Sequence, residues 1–262
     1  MKQVQLFTIQ ERKAYGERCF ALTLRHPGKM NPIAPGQFVE VDVPGIKDVF
    51  LRRPISVHDV DVAANTVTLL IQIVGKGTAH LSQLKVGDSL SLVYPLGKGF
   101  SVSENVKNPI LVGGGVGIAP LLYLAKCYAA VGIRPTILLG GRTQDLIPAR
   151  ESFAPYGDML YATEDGSLGF KGLVTNHPQF VGMLQEGEAD MIQTCGPTPM
   201  MKAVARMAVS SKLPCEVSLE NTMACGIGAC LCCVCDTDEG HLCVCKEGPV
   251  FDVSRLSRWL EA

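Results

Sequence analysis

Residues 108–132 read NPILVGGGVGIAPLLYLAKCYAAVG and hold the chain's one long apolar run. A membrane-spanning helix needs about 20 predominantly apolar residues. Three consecutive glycines, Pro120 and Lys126 interrupt this run, which reads instead as a buried strand, a tight turn and a helix. Glycines at 113, 114, 115 and 117 let the backbone turn sharply and approach a ligand closely. A helix N-terminus then presents free N–H groups to a phosphate, and Pro120 suits its first turn. The spacing is not the GxGxxG dinucleotide fingerprint, so a bare strand-to-helix connection stays open beside nucleotide binding. A second loop, QTCGPTPMM (193–201), places Cys195 and Gly196 just past a strand. Ligands of open parallel sheets lie beyond the carboxyl ends of the strands, where two such loops flank one crevice. Cys195 reads equally well as a small buried strand residue.

Working outward, RPTILLGGR (134–142), DMLYATEDG (158–166) and DMIQTCGP (190–197) are further short apolar strands. Helical candidates lie between them, and TPMMKAVARMAVSS (198–211) follows the last. Alternating strands and helices specify a parallel sheet wrapped by helices. Upstream the pattern is all-β: QVQLFTIQE, CFALTLRH, QFVEVDVPG, FLRRPISVHDV, TVTLLIQIVG and SLSLVYPLG are short runs rich in β-branched residues. Six strands at this spacing suggest a small closed barrel, interrupted by one helical turn around TAHLSQL (78–84). The expected division is a β-barrel over 1–102, an α/β nucleotide-binding domain over 103–212 and a cysteine-rich domain over 213–262.

Of 262 residues, 47% are apolar and 19% charged, and the formal net charge is −1. That balance suits a soluble globular protein and leaves no basic footprint for nucleic acid. The N-terminus alternates and carries charge, so no export signal is expected. Eleven cysteines, an odd number, argue against a disulfide framework and for metal or redox chemistry in a reducing cytoplasm.

Within the barrel, LRRPISV (51–57) sets two arginines, a proline and a serine in an apolar strand. Arg53 can pair with a diphosphate and Ser56 can hydrogen-bond a ring nitrogen, or Arg53 is a solvated charge on a barrel edge. GKGTAHLSQL places Gly75, Gly77 and Thr78 before a short helix, a second anion site.

A barrel carrying R-P-I-S, followed by GGGxGxxP and CGP loops, resembles the ferredoxin–NADP reductase superfamily. The fuller set RRPISV, KGTxxL, GGGVGIAP, TEDGSxGxKGxVT, CGPxPMM and CGIGAC…GPVF is similar to the electron-transfer subunits of B-type dihydroorotate dehydrogenase, the PyrK family. This resemblance covers nearly the whole chain. It implies FAD binding by Arg53, Pro54, Ile55 and Ser56, by Leu70, Ile71 and Gln72 on the next strand, and by Gly77 and Thr78. It implies that the glycine turn and the Cys195–Gly196 loop hold NADH.

Seven cysteines crowd residues 223–245, MACGIGACLCCVCDTDEGHLCVC. Cys225-x4-Cys230-x2-Cys233 is the plant-type [2Fe–2S] spacing, and Cys245, separated from Cys233 by eleven residues, supplies the fourth thiolate. The rival is structural zinc, with Cys232, Cys235, Cys243 and Cys245 forming a four-thiolate site. Cys243 is the nearest false fourth ligand, and Cys232 is a spare thiol beside two ligands.

The resemblance implies an oxidoreductase subunit in pyrimidine biosynthesis. It passes electrons between an FMN-containing dihydroorotate dehydrogenase partner and NAD, through the cluster and FAD, in a heterotetramer. No residue need act as a separate catalytic acid or base. Two other readings stand: the FAD/[2Fe–2S] subunit of an NADH-dependent ferredoxin–NADP oxidoreductase or sulfide dehydrogenase, and a non-catalytic zinc-bearing binding module.

Overall fold

Period-two alternation in the first hundred residues puts one apolar face inward, and closing the sheet removes its edges. The computed structural model describes residues 2–261. Strands β1 (Gln3–Tyr15), β2 (Cys19–Arg25), β3 (Phe38–Val41), β4 (Arg53–Asp61), β5 (Thr66–Gln72) and β6 (Ser89–Leu96) form a closed antiparallel barrel in the order β1-β2-β5-β4-β3-β6. Phe7, Leu22, Val39, Val41, Leu69 and Tyr94 fill its interior. A short helix α1 (Lys76–Leu81) lies between β5 and β6, where one helical turn was expected.

The second half builds a seven-stranded sheet. It contains β7 (Pro109–Gly114), β8 (Thr136–Gly141), β9 (Asp158–Thr163), β10 (Phe170–Lys171), β11 (Met191–Cys195), β12 (Cys215–Ser218) and, from far along the chain, β15 (Val250–Asp252). The order is β10-β9-β8-β7-β11-β12-β15. Every neighbour is parallel except β15, which runs antiparallel to β12. Helices α2 (Ala119–Ala130), α3 (Pro178–Gln185) and α4 (Thr198–Ser210) cover the faces. The apolar run of 108–132 is β7, a single 3-10 turn over Gly115–Ile118, and α2. Among the described residues no helix is long and apolar enough to cross a membrane.

The cysteine segment is held between β12 and the edge strand β15. It contains a two-stranded ribbon, β13 (Val234–Thr237) and β14 (Gly240–Cys243), then the one-turn helix α5 (Val244–Glu247). A final helix, α6 (Ser257–Glu261), follows β15. Cys233, Cys243, Val244 and Cys245 share a core with Phe38 and Leu96 of the barrel and Val217 and Phe251 of the sheet, so one apolar centre joins all three parts.

The barrel and the sheet are also joined through α2. His58 on β4 is buried and donates Nδ1–H to the Ala119 carbonyl at 2.9 Å, and burial lowers its pKa. Lys126 meets Asp59 at 2.6 Å. At the carboxyl ends of β7 and β11 the two glycine loops interlock. A Cβ on Gly117 would lie 2.7 Å from the Gly196 nitrogen, and one on Gly114 would lie 2.5 Å from Met200 Sδ. Backbone cannot yield as a side chain can. Gly117→Ala should therefore destabilise the fold by about 1–3 kcal/mol. Gly182→Ala, in α3 with nothing within 4 Å of the added carbon, should stabilise it by about 0.5–1 kcal/mol. Thermal melting of the two variants checks the contrast, and equal midpoints would contradict it.

Candidate functional site

Strands β4 and β5 are neighbours in the barrel, and where they face β12 they leave a cleft of about 360 Å³. Arg53, Pro54, Ile55 and Ser56 line it from β4; Leu70, Ile71 and Gln72 line it from β5. Thr78 of α1 completes that side. The two arginines of LRRPISV divide their work. Arg52 donates to the Ser91 carbonyl at 2.7 Å and to Ser91 Oγ at 2.9 Å, fastening β6. Arg53 faces the cleft, and its guanidinium donates to the Leu51 carbonyl at 2.8 Å. Gly77 does not itself line the cleft, but a Cβ there would touch Arg53 Cδ at 3.4 Å. Glycine at 77 thus lets the start of α1 lie against the arginine stem. The Thr78 hydroxyl accepts the Val74 N–H at 2.9 Å and orders the loop into α1.

The opposite wall comes from residues the sequence reading did not single out. Ser218, Leu219, Glu220, Asn221 and Met223 lead from the end of β12 toward Cys225, and Pro249 returns before β15. A strand end opening into a cysteine-rich loop was the signal available for them. Burial raises the Glu220 pKa.

Of the nucleotide loops, Val116 and Ala119 reach the cleft. The space where side chains on Gly113, Gly114, Gly117 and Gly196 would go is filled by protein, whereas Gly115, at φ +56°, faces open space. Cys195 is 2% exposed and does not line the cleft. Burial, and secondarily the Glu220 carboxylate, drives its thiol pKa far upward, so it stands as a neutral thiol beside Ser218.

The cysteine loop is preorganised for thiolates. Gly226 and Gly228 take φ of +66° and +85°, and Leu231 takes +58°. These turns aim the N–H groups of Ile227, Ala229 and Cys230 at Cys225 Sγ, at 3.5, 3.3 and 3.4 Å. Burial alone would raise this thiol. The N–H groups of Ile227, Cys230 and Ala229, with the Cys230 thiol, outweigh it and bring the pKa down to about 6. Cys233 Sγ accepts the Cys245 N–H at 3.4 Å, which sets the two thiols side by side. The Gly228 N–H and the charge of Cys225 both act on Cys245, whose pKa burial raises to about 12. The four thiols therefore fall into two pairs, Cys225 with Cys230 and Cys233 with Cys245, linked through Cys245. Among the described residues no three Cys, His, Asp or Glu side chains close on a single metal position. Paired thiols suit a two-iron cluster better than the tetrahedron of one zinc ion.

Glu40 was also missed. In GQFVEVDVP, Val39, Val41 and Val43 face the barrel core, and alternation puts Glu40 on the outside, ordinarily in water. There the cysteine segment covers the barrel: Glu40 is 1% exposed, and Gly226 packs against it so closely that a Cβ would lie 2.6 Å from Glu40 Cγ. Neither carboxyl oxygen has a hydrogen-bond partner. Burial pushes its pKa up to about 7, against the pull of Arg52 and Arg53.

Two family models match the chain. Residues 8–100 match the oxidoreductase FAD-binding domain, and residues 220–257 match the iron-sulfur cluster binding domain of dihydroorotate dehydrogenase B. The dihydroorotate dehydrogenase B (NAD(+)) electron transfer subunit of Caldanaerobacter subterraneus subsp. tengcongensis is 44% identical over 223 residues, covering 83% of this chain and 84% of that one. Its counterpart from Fusobacterium nucleatum subsp. nucleatum is 38% identical, covering 93% and 95%. A solved structure of NADH-dependent reduced ferredoxin-NADP oxidoreductase superposes with a TM-score of 0.84 at 32% identity, covering 97% of this chain and 91% of that one. The ferredoxin reductase of carbazole 1,9a-dioxygenase, at 20% identity and a TM-score of 0.70, shares the fold.

A carboxyl whose folded pKa lies above its ordinary 4.5 is held protonated by the fold, so stability falls as pH climbs from there to about 7. Glutamine cannot ionise and lacks that slope. Glu40→Gln should melt together with the wild type at pH 4 and higher than it at pH 8, by up to about 3 kcal/mol. Melting curves across that range check this; a constant difference between the two proteins would contradict it.

Proposed function

Because the chain belongs to the family of dihydroorotate dehydrogenase B electron transfer subunits, we propose that it carries electrons between an FMN-bearing dihydroorotate dehydrogenase subunit and NAD in the cytoplasm. It works as part of a heterotetramer, and the physiological flow runs from the partner to NAD⁺. When bound, FAD exchanges an electron pair with NAD and single electrons with a [2Fe–2S] cluster. The observation that carries this reading is the shared wall: residues 218–221 and Met223 line the flavin cleft and run directly into the cysteine loop.

In this reading Arg53 neutralises the FAD diphosphate from the barrel while the Gly77–Thr78 turn presents backbone N–H groups to it. Ser56 hydrogen-bonds the flavin ring, and Pro54, Ile55, Leu70, Ile71 and Gln72 shape its seat. NAD binds at the carboxyl ends of β7 and β11. There Gly115 provides the close approach, Gly113, Gly114, Gly117 and Gly196 keep the two loops interlocked, and Cys195 stays neutral behind Ser218. Cys225, Cys230, Cys233 and Cys245 hold the cluster, with the loop N–H groups stabilising their negative charge. Residues 1–102, 103–212 and 213–262 serve as flavin, nucleotide and cluster units, the last lending two strands to the sheet of the second.

The likeness to NADH-dependent reduced ferredoxin-NADP oxidoreductase favours a second reading, a subunit working with ferredoxin and NADP. Relatives at 44% identity weigh for dihydroorotate. Mixing the chain with an FMN-bearing dihydroorotate dehydrogenase subunit should give dihydroorotate-dependent reduction of NAD⁺; activity with ferredoxin alone would reverse the assignment.

Two substitutions test the site. Cys225→Ser should remove the iron–sulfur absorbance and leave FAD bound. Arg53→Ala should weaken FAD retention by roughly tenfold to a hundredfold, the worth of a charged hydrogen bond. Gel filtration followed by absorbance reads both, and full flavin occupancy in the arginine variant would return Arg53 to a solvated edge charge.

A further inference from the structure

The cysteine segment contains one more buried thiol than the cluster needs. Cys243 ends β14 directly opposite Val234, the residue after Cys233. The ribbon closes tightly at that point, with the Val244 N–H donating to the Cys233 carbonyl at 3.0 Å. Cys243 is 8% exposed, beside Cys233 at 1% and Cys245 at 0%. The Cys233 thiol lies close enough to those of both Cys243 and Cys245 to act on each electrostatically, and it accepts the Cys245 N–H at 3.4 Å. Two thiols therefore compete for the position next to Cys233. What separates them is reach. Cys245 lies toward the Gly228 N–H of the opposite loop, while Cys243 is tied back by its own N–H to Glu247 Oε2 at 3.1 Å. By contrast Cys232 is exposed and Cys235 bonds the Asp236 carbonyl, so neither shares this position.

We propose that the centre has two ligand sets: Cys225, Cys230 and Cys233 completed by Cys245 in the resting protein, and the same three completed by Cys243 when the bond to Cys245 is lost. The exchange breaks one iron–Sγ bond, to Cys245, and forms one, to Cys243. The departing thiolate takes up the proton that the arriving thiol releases, and no electron is gained or lost. The spare thiol is an intramolecular ligand at high effective concentration, so recapture competes with loss of iron to solvent. This rests on the cluster assignment made above.

The test uses the full chain, with iron and acid-labile sulfide content and the EPR spectrum of the reduced protein as readouts, and FAD absorbance reporting the fold. Cys243→Ser should match the wild type. Cys245→Ser and Cys245→Ala should keep their iron, with shifted EPR g values, while adding Cys243→Ser to either should lose it. If Cys245→Ser, still holding FAD, loses iron as completely as the double variant, the second ligand set does not exist. Iron retained equally in the single and double serine variants would assign ligation to the serine oxygen and overturn the proposal in the same way. A variant-free check is slow alkylation of the wild type, which should mark Cys245 while the cluster absorbance persists; absorbance falling in step with that labelling contradicts it. Absence of a [2Fe–2S] signal from the wild type itself would instead sink the cluster assignment.

Discussion

Three residue pairs hold the two redox sites together: Glu216 opposite Asp252, Val217 opposite Phe251, and Ser218 opposite Val250. This short antiparallel pairing adds β15 to the edge of a parallel sheet and pins both ends of the cysteine segment. The segment cannot drift as an appended domain would, because its base is sheet. The Leu219 N–H donates to the Pro249 carbonyl at 2.8 Å just beyond the pairing, which closes the neck. Residues leaving that neck on one side form the cleft wall and on the other lead into α5 and Cys245. The neck thereby fixes the cleft wall relative to the cysteine loop, as the proposed electron path requires.

The groups around that neck are kept electrically quiet. Burial raises the pKa of Cys195, Glu220 and Glu40, so the fold disfavours their charged forms. Arg53 brings positive charge to the cleft, and Cys225 is the thiol driven toward its anion. Glu40 lies under the cysteine loop and near Arg53.

Much of this was legible in the sequence because its signals are local. Six alternating runs became the six barrel strands, and 108–132 became strand, turn and helix because its glycines and Pro120 act on neighbouring backbone. The RPIS strand, its barrel neighbour Leu70–Gln72 and Thr78 of the following helix line one cleft, because β4 and β5 pair and α1 follows β5. The rest depended on contacts distant in sequence. The strand 250–252 is three residues long and finds its partner across more than thirty residues, so no periodicity marked it. Glu40 obeys alternation and is buried only because another segment covers the barrel at that point. Gly114 and Gly117 looked like ligand glycines, yet the space beside them is taken by Met200 and Gly196, a packing demand with the same sequence signature.

The central claim is that one chain couples a two-electron and a one-electron centre through a common wall. Anaerobic addition of NADH to the purified chain, followed by absorbance and EPR, tests it most directly. The account predicts that the flavin bands bleach and that the EPR signal of a reduced [2Fe–2S] cluster grows in the same titration. Flavin bleaching with no cluster signal, in protein that contains iron and sulfide, would contradict it.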